Sequence, residues 1–209
     1  MRKIIIFSIM TVMILMCGCT RRTSTAGTNE PVTEAETETI GEMQFYETML
    51  DNSGPTEYTV GANVTYIGPL AFDYSPLEKI TFEGNNLKEI GKHALSMCQL
   101  REVEFPEGLE IIGDRALASN TYLERVVIPA SVKEIHTCAF TECPALKEII
   151  VYSKDVEYKE NEAYAGRMFN TYENYVEGIV LEDLVIKCYK GSTTDKFANE
   201  NGVKVEYLD

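Results

Sequence analysis

Leu77-Glu78-Lys79-Ile80-Thr81-Phe82 is one copy of a phrase that occurs four times between Val64 and Tyr152. Its apolar positions recur as Leu100, Val103 and Phe105, as Leu123, Val126 and Ile128, and as Leu146, Ile149 and Val151. A second phrase precedes each copy, reading Ile-Gly-x-x-Ala-Phe in its fullest form. It is anchored at Ile67, Ile90, Ile112 and Ile135, 22 or 23 residues apart. Behind the anchors run Ala71, Ala94, Ala116 and Ala139, then Phe72, Leu95, Leu117 and Phe140. Six apolar columns in step predict a repeat solenoid, because one short unit cannot bury its apolar face alone and must stack on the next. The expected elements are short parallel β-strands joined by turns, closed at the C-terminal end by a short helix and a strand.

Charge follows the same period. The residue after the Leu column runs Glu78, Arg101, Glu124, Lys147, and the next runs Lys79, Glu102, Arg125, Glu148. Stacked in parallel, each would face an opposite charge one strand away. Exposed pairs contribute only about 0–1 kcal/mol, but like charges there would repel, so the alternation fixes register. Lys88, Glu110 and Lys133 alternate in the same way on the other limb.

The middle strand position points away from the core. It reads Thr81, Glu104, Val127, Ile150 and turns apolar toward Tyr152. Two explanations fit: β-propensity or cover by the segment that follows, or a surface for a partner. Glu104, Val127, Ile150 and Tyr152 are therefore candidate binding residues.

The flanks divide by composition. Residues 1–18 have a charged start and the apolar run Ile4–Met16, the pattern of a signal peptide. As a helix the run would span about 20 Å, short of a bilayer core of about 30 Å. Residues 19–41 are rich in Thr, Glu, Ala and Ser and are expected to be a disordered tether. Residues 42–63 are read as an N-terminal cap and half-repeat, with Tyr58 and Val60 in the inward strand columns. Residues 64–152 hold the four repeats. Residues 153–190 are a degenerate fifth copy: Val156 and Tyr158 start it, and Leu184-Val185-Ile186 supplies its second strand. Between them Phe169, Tyr172 and Tyr175 form a tyrosine-rich insertion, either a recognition loop or a lid on the neighbouring coil. Residues 191–209 are a C-terminal cap, with a Ser/Thr-capped helix ending near Gly202 and a strand over Val203–Tyr207.

The formal net charge of −14 makes nucleic acid a poor partner. No Cys-x-x-Cys pair, zinc helix, phosphate loop or nucleophile elbow is present, so neither a cofactor nor a metal is expected. Cys98 and Cys143 share a column two copies apart. That places them roughly 10 Å from one another, beyond the disulfide limit of about 7 Å, and marks them as small buried thiols. His136 lies two residues from Cys138, a remote candidate for a cysteine-dependent enzyme, but no motif supplies an oxyanion site. The chain is expected not to be an enzyme.

The Leu-x-x-Ile-x-Phe element resembles the strand of a leucine-rich repeat, and the full unit resembles the BspA-type bacterial leucine-rich repeats. That resemblance implies a surface or secreted protein associated with adhesion and host-protein binding. Leu15-Met16-Cys17-Gly18-Cys19 resembles a bacterial lipobox, with Met16 and Cys17 departing from the usual residues. The resemblance implies lipidation at Cys19 and a membrane-anchored, extracytoplasmic protein; an ordinary secretory signal would leave it secreted. The expectation is a lipid-anchored cell-surface module for an unidentified protein or glycan, the alternative an envelope scaffold without a host ligand.

Overall fold

Alternation of β-branched and polar residues makes two short strands per coil. In the computed structural model, which describes residues 38–40, 54–159, 168, 170–173 and 177–209, these strands follow the repeat closely. β1 (Glu38–Ile40) and β2 (Glu57–Val60) come first. Four pairs follow: β3 (Val64–Ile67) and β4 (Lys79–Phe82), β5 (Glu89–Ile90) and β6 (Glu102–Glu104), β7 (Ile111–Ile112) and β8 (Arg125–Ile128), β9 (Glu134–His136) and β10 (Glu148–Val151). Then come β11 (Glu157–Lys159), a hairpin of β12 (Asn170–Glu173) and β13 (Glu177–Val180), β14 (Val185–Cys188), α1 (Thr193–Glu200) and β15 (Lys204–Tyr207).

The first strand of each coil joins a six-stranded parallel sheet, β1-β3-β5-β7-β9-β11, one strand per turn of the solenoid. The second strands form the opposite face as β6-β8-β10-β14-β15, while β2 and β4 pair separately as a two-stranded sheet. Pairing joins equivalent residues: Ile67 with Ile90, Ile90 with Ile112, Ile112 with Ile135. Val103, Val126, Ile149 and Ile186 run in register on the other face. The sequence columns are therefore the register of the sheets, and Leu184–Ile186 is the displaced strand of the fifth copy.

A third ladder closes the coil on its turn side. Leu70, Phe72 and Tyr74 donate their N–H groups to Lys92, Ala94 and Ser96 carbonyls of the next coil at 2.8–3.1 Å. Ala71, Asp73 and Ser75 donate within their own turn, to Gly68, Leu70 and Phe72. Alternating the two directions requires left-handed residues, and each coil has two, four positions apart. Leu70, His93, Arg115 and Cys138 form one such column, and Tyr74, Met97, Ser119 and Glu142 the other, with φ from 52° to 59°. None is glycine, and each carries a cost of about 1–2 kcal/mol. Stacking therefore supplies what local preference opposes. Glycine is required elsewhere for close approach: a Cβ on Gly113 would lie 2.7 Å from the Ile90 carbonyl oxygen.

The six columns fill the interior, and Leu77, Leu100, Leu123 and Leu146 are all buried. At the C-terminal end, Tyr158 stacks on Phe197 of α1 with ring centroids 3.9 Å apart and donates to Thr194 Oγ1 at 2.9 Å. Ser192 caps the helix by accepting from Asp195 N, and Gly202, at φ 70°, follows the C-cap Asn201.

Two boundaries differ from expectation. Glu38–Ile40, assigned to the tether by composition, is a strand that pairs in parallel with β3 and buries Ile40. One apolar residue suffices there because the register, not local hydrophobicity, holds the strand. The terminal strand begins at Lys204, since Val203 N still donates to Ala198 at the helix end. Cys19, the remainder of residues 19–41 and residues 42–53 lie outside the described residues. No helix among the described residues is long and apolar enough to cross a membrane.

Because each coil contacts only its neighbours, Leu123→Ala should cost about 2–5 kcal/mol. Urea titration followed by circular dichroism measures this; an unchanged midpoint would contradict the register.

Candidate functional site

The β4, β6 and β8 strands present a groove of about 750 Å³ on the face away from the core. Its floor carries the outward residues Thr81, Glu104 and Val127, one from each coil, and Tyr152 stands at its C-terminal end. Phe82 and Phe105 line it from within, their ring centroids 6.0 Å apart. Pro106 and Pro129 form the wall beyond the strand ends.

Proline matters here for what it lacks. In equivalent positions Glu83 N donates to the Val60 carbonyl at 2.8 Å and Tyr152 N to the Ile128 carbonyl at 3.0 Å. Pro106 and Pro129 have no N–H, so the carbonyls of Phe82 and Phe105 lack that donor. The strand face is divided at the same place, because β4 pairs with β2 while β6 begins the five-stranded sheet.

The groove holds only some of the residues expected to bind. Glu104 and Tyr152 are exposed and line it. Val127 lines it but is only 6% exposed, and Ile150, outside the lining, is 8% exposed. The apolar run is not the open patch that alternation suggested. Its side chains point outward, yet each is flanked in register: Ile150 lies between Val127 and Lys187. The Lys187 side chain leans across the sheet to Glu148 at 2.6 Å, so its stem covers the neighbouring face. Tyr172 lies in β12 of the hairpin, while Phe169 and Tyr175 fall outside the described residues. Lys79, Arg101, Phe82, Phe105 and the two prolines were not foreseen as site residues; the signal was the Pro106/Pro129 column itself.

The charge columns pair in part, at the C-terminal end of the strand-face rows and along the Lys88, Glu110 and Lys133 row. Lys147 meets Glu124 at 3.1 Å, Arg125 meets Glu148 at 2.9 Å, and Glu110 meets Lys88 at 3.4 Å and Lys133 at 2.5 Å. The strand-face row extends past the repeats, since Lys187 also reaches Glu206 at 3.8 Å. Hydrogen bonding from Lys187 holds the Glu148 carboxyl below the ordinary range, with Arg125 adding to the effect.

The possible catalytic groups do not converge. His136 Nε2 lies 3.0 Å from Glu134 on the outer face, whereas Cys138 is buried in the turn column. Burial pushes the thiols of Cys98 and Cys143 up to about 12. His93 Nδ1 is 3.2 Å from Ser96 Oγ, and that hydroxyl donates to Asp73. The serine is buried and lies between the other two groups, so its oxygen is not presented as a nucleophile. Among the described residues no cluster of side chains is placed to hold a metal ion.

Comparison with known proteins identifies the repeat. The family model for the BspA type leucine rich repeat region matches residues 38–170 in six copies. The crystal structure of the pneumococcal vaccine antigen PcpA is similar at 24% identity and a TM-score of 0.50, covering 57% of this chain and 29% of that one. A leucine-rich repeat protein from Bacteroides ovatus is similar at 20% identity and a TM-score of 0.35, covering 73% of this chain and 51% of its own. The chain thus spans about a third and a half of these two proteins. No curated protein matches the sequence.

The lowered Glu148 titration predicts a pH signature. A depressed carboxylate contributes stability above its ordinary range and loses it as pH falls through the folded value. Glu148→Gln should lower stability at pH 7 by about 1 kcal/mol or less, and the difference should close below about pH 4. Thermal melts of both proteins across pH 3–7 check this; a difference that persists at low pH would assign the effect to packing.

Proposed function

This chain belongs to the BspA-type leucine-rich repeat family, and on that premise we propose that it is a cell-surface module that binds a protein through the strand-face groove. The groove carries the proposal: a concave, partly aromatic surface with exposed polar side chains over three successive coils. Its floor is rigid because each strand is fixed by stacking, which limits the ordering cost of binding. Phe82 and Tyr152 offer apolar contact, and Thr81, Glu102 and Glu104 offer hydrogen bonding. Glycans remain within the proposed range of ligands, and the hairpin of β12 and β13 is a second place for contact.

The membrane anchor is part of the same proposal. The apolar run Ile4–Met16 before Gly18-Cys19 supports export and acylation of Cys19, with the following residues spacing the solenoid from the lipid. Intact mass of membrane-extracted protein should show a chain beginning at acylated Cys19, and Cys19→Ala should abolish it. An unmodified chain in the culture supernatant would make the protein a secreted factor.

The binding site is tested by filling it. Thr81→Trp places a bulky ring on the groove floor, while Lys92→Trp places one on the exposed turn side. Immobilised Thr81→Trp protein should retain at least tenfold less of any surface or host protein that the unaltered chain captures, and Lys92→Trp protein should retain it all. Equal capture by both variants would assign binding to another face and favour the envelope-scaffold alternative.

A further inference from the structure

We infer that the groove is built for an extended protein segment carrying Lys or Arg at alternate positions, an inference that rests on the groove being the binding site. Five carboxylates line it against three cations. Two of those cations are drawn toward other groups. Arg125 is held by Glu148, which does not line the groove, and the Arg101 guanidinium lies 5.7 Å from the Tyr122 ring centroid. The groove is therefore richer in acceptors than in available donors.

A second observation points the same way and owes nothing to the carboxylates. The carbonyls of Phe82 and Phe105 lack the ladder donor that Val60 and Ile128 receive, because the next coil has proline in that position. Main-chain acceptors of this kind seek N–H donors. An ammonium has three donors and a guanidinium five, and neither accepts, so both suit a groove of carboxylates and of carbonyls without their ladder donor. The exposed ring of Tyr152 at the groove end offers a face for the same cations.

Spacing selects the form of the ligand. Glu102 and Glu104 are both exposed and lie two residues apart on β6, hence on one face and about 6.6 Å from each other along the strand. Alternate side chains of an extended segment have the same separation. A segment lying along β6 would set successive cations on Glu102 and Glu104, with its intervening side chains turned away. A run of adjacent cations would send every second one to the far side.

Two fluorescein-labelled octapeptides of identical composition test this, one alternating Lys and Thr four times and one with four Lys followed by four Thr. Fluorescence anisotropy is read against the full chain at two salt concentrations. The alternating peptide should bind at least fivefold tighter than the block peptide. Glu102→Gln/Glu104→Gln should remove that preference, whereas Glu89→Gln/Glu134→Gln on the other sheet should leave it. Equal binding of the two peptides, or equal effects of the two double variants, would reduce the attraction to overall charge and overturn the inference. If neither peptide binds while Thr81→Trp still abolishes capture of a protein partner, the groove remains the site and the cationic ligand is wrong.

Discussion

Backbone hydrogen bonds between successive coils are the constraint that holds the molecule together. It acts on three sides: the sheet of first strands, the sheet of second strands, and the turn ladder in which alternate N–H groups reach forward. A register slip of one residue would break all three and turn the buried columns outward. The constraint also explains why side chains as different as leucine, histidine, arginine and cysteine occupy a left-handed column. Neighbouring coils impose the backbone shape there, whatever the residue's own preference.

The apolar columns could be read because burial forces the same choice in every copy. Leu123 and its equivalents have no alternative environment, and the paired charges of Arg125 with Glu148 follow from the same repetition. The left-handed residues could not be read, since no glycine or asparagine marks them. Nor could strand β1, where Ile40 alone faces the core and register supplies the rest. Of the candidate residues, Glu104 and Tyr152 are exposed as alternation predicts, whereas Val127 and Ile150 are covered. Strand alternation gives the direction of a side chain and says nothing of how far its register neighbours cover it. Lys187, contributed by a strand displaced in sequence by the insertion, is one such neighbour.

Pro106 and Pro129, passed over in the repeat pattern, acquire meaning only when set against the bonds made at Glu83 and Tyr152. Two of the four copies, those with Pro106 and Pro129, depart from the pattern of the others. The departure is a missing donor at a position where Glu83 and Tyr152 make the bond. It leaves acceptors in a place already lined by carboxylates, and it does so without loosening the core beneath, where Phe105 and Val103 remain buried.

The division of the strand face between β4 and β6 also has a mechanical consequence. The sheet of β1, β3, β5, β7, β9 and β11 passes that level without interruption, as does the turn ladder from Leu70 to Ser96. Tension along the stack therefore meets two continuous seams and one broken one. The second-strand side is the weaker one at this level, tied across it by Gln99 N donating to the Leu77 carbonyl. A load along the stack would be carried there chiefly by the first-strand sheet and the turn ladder.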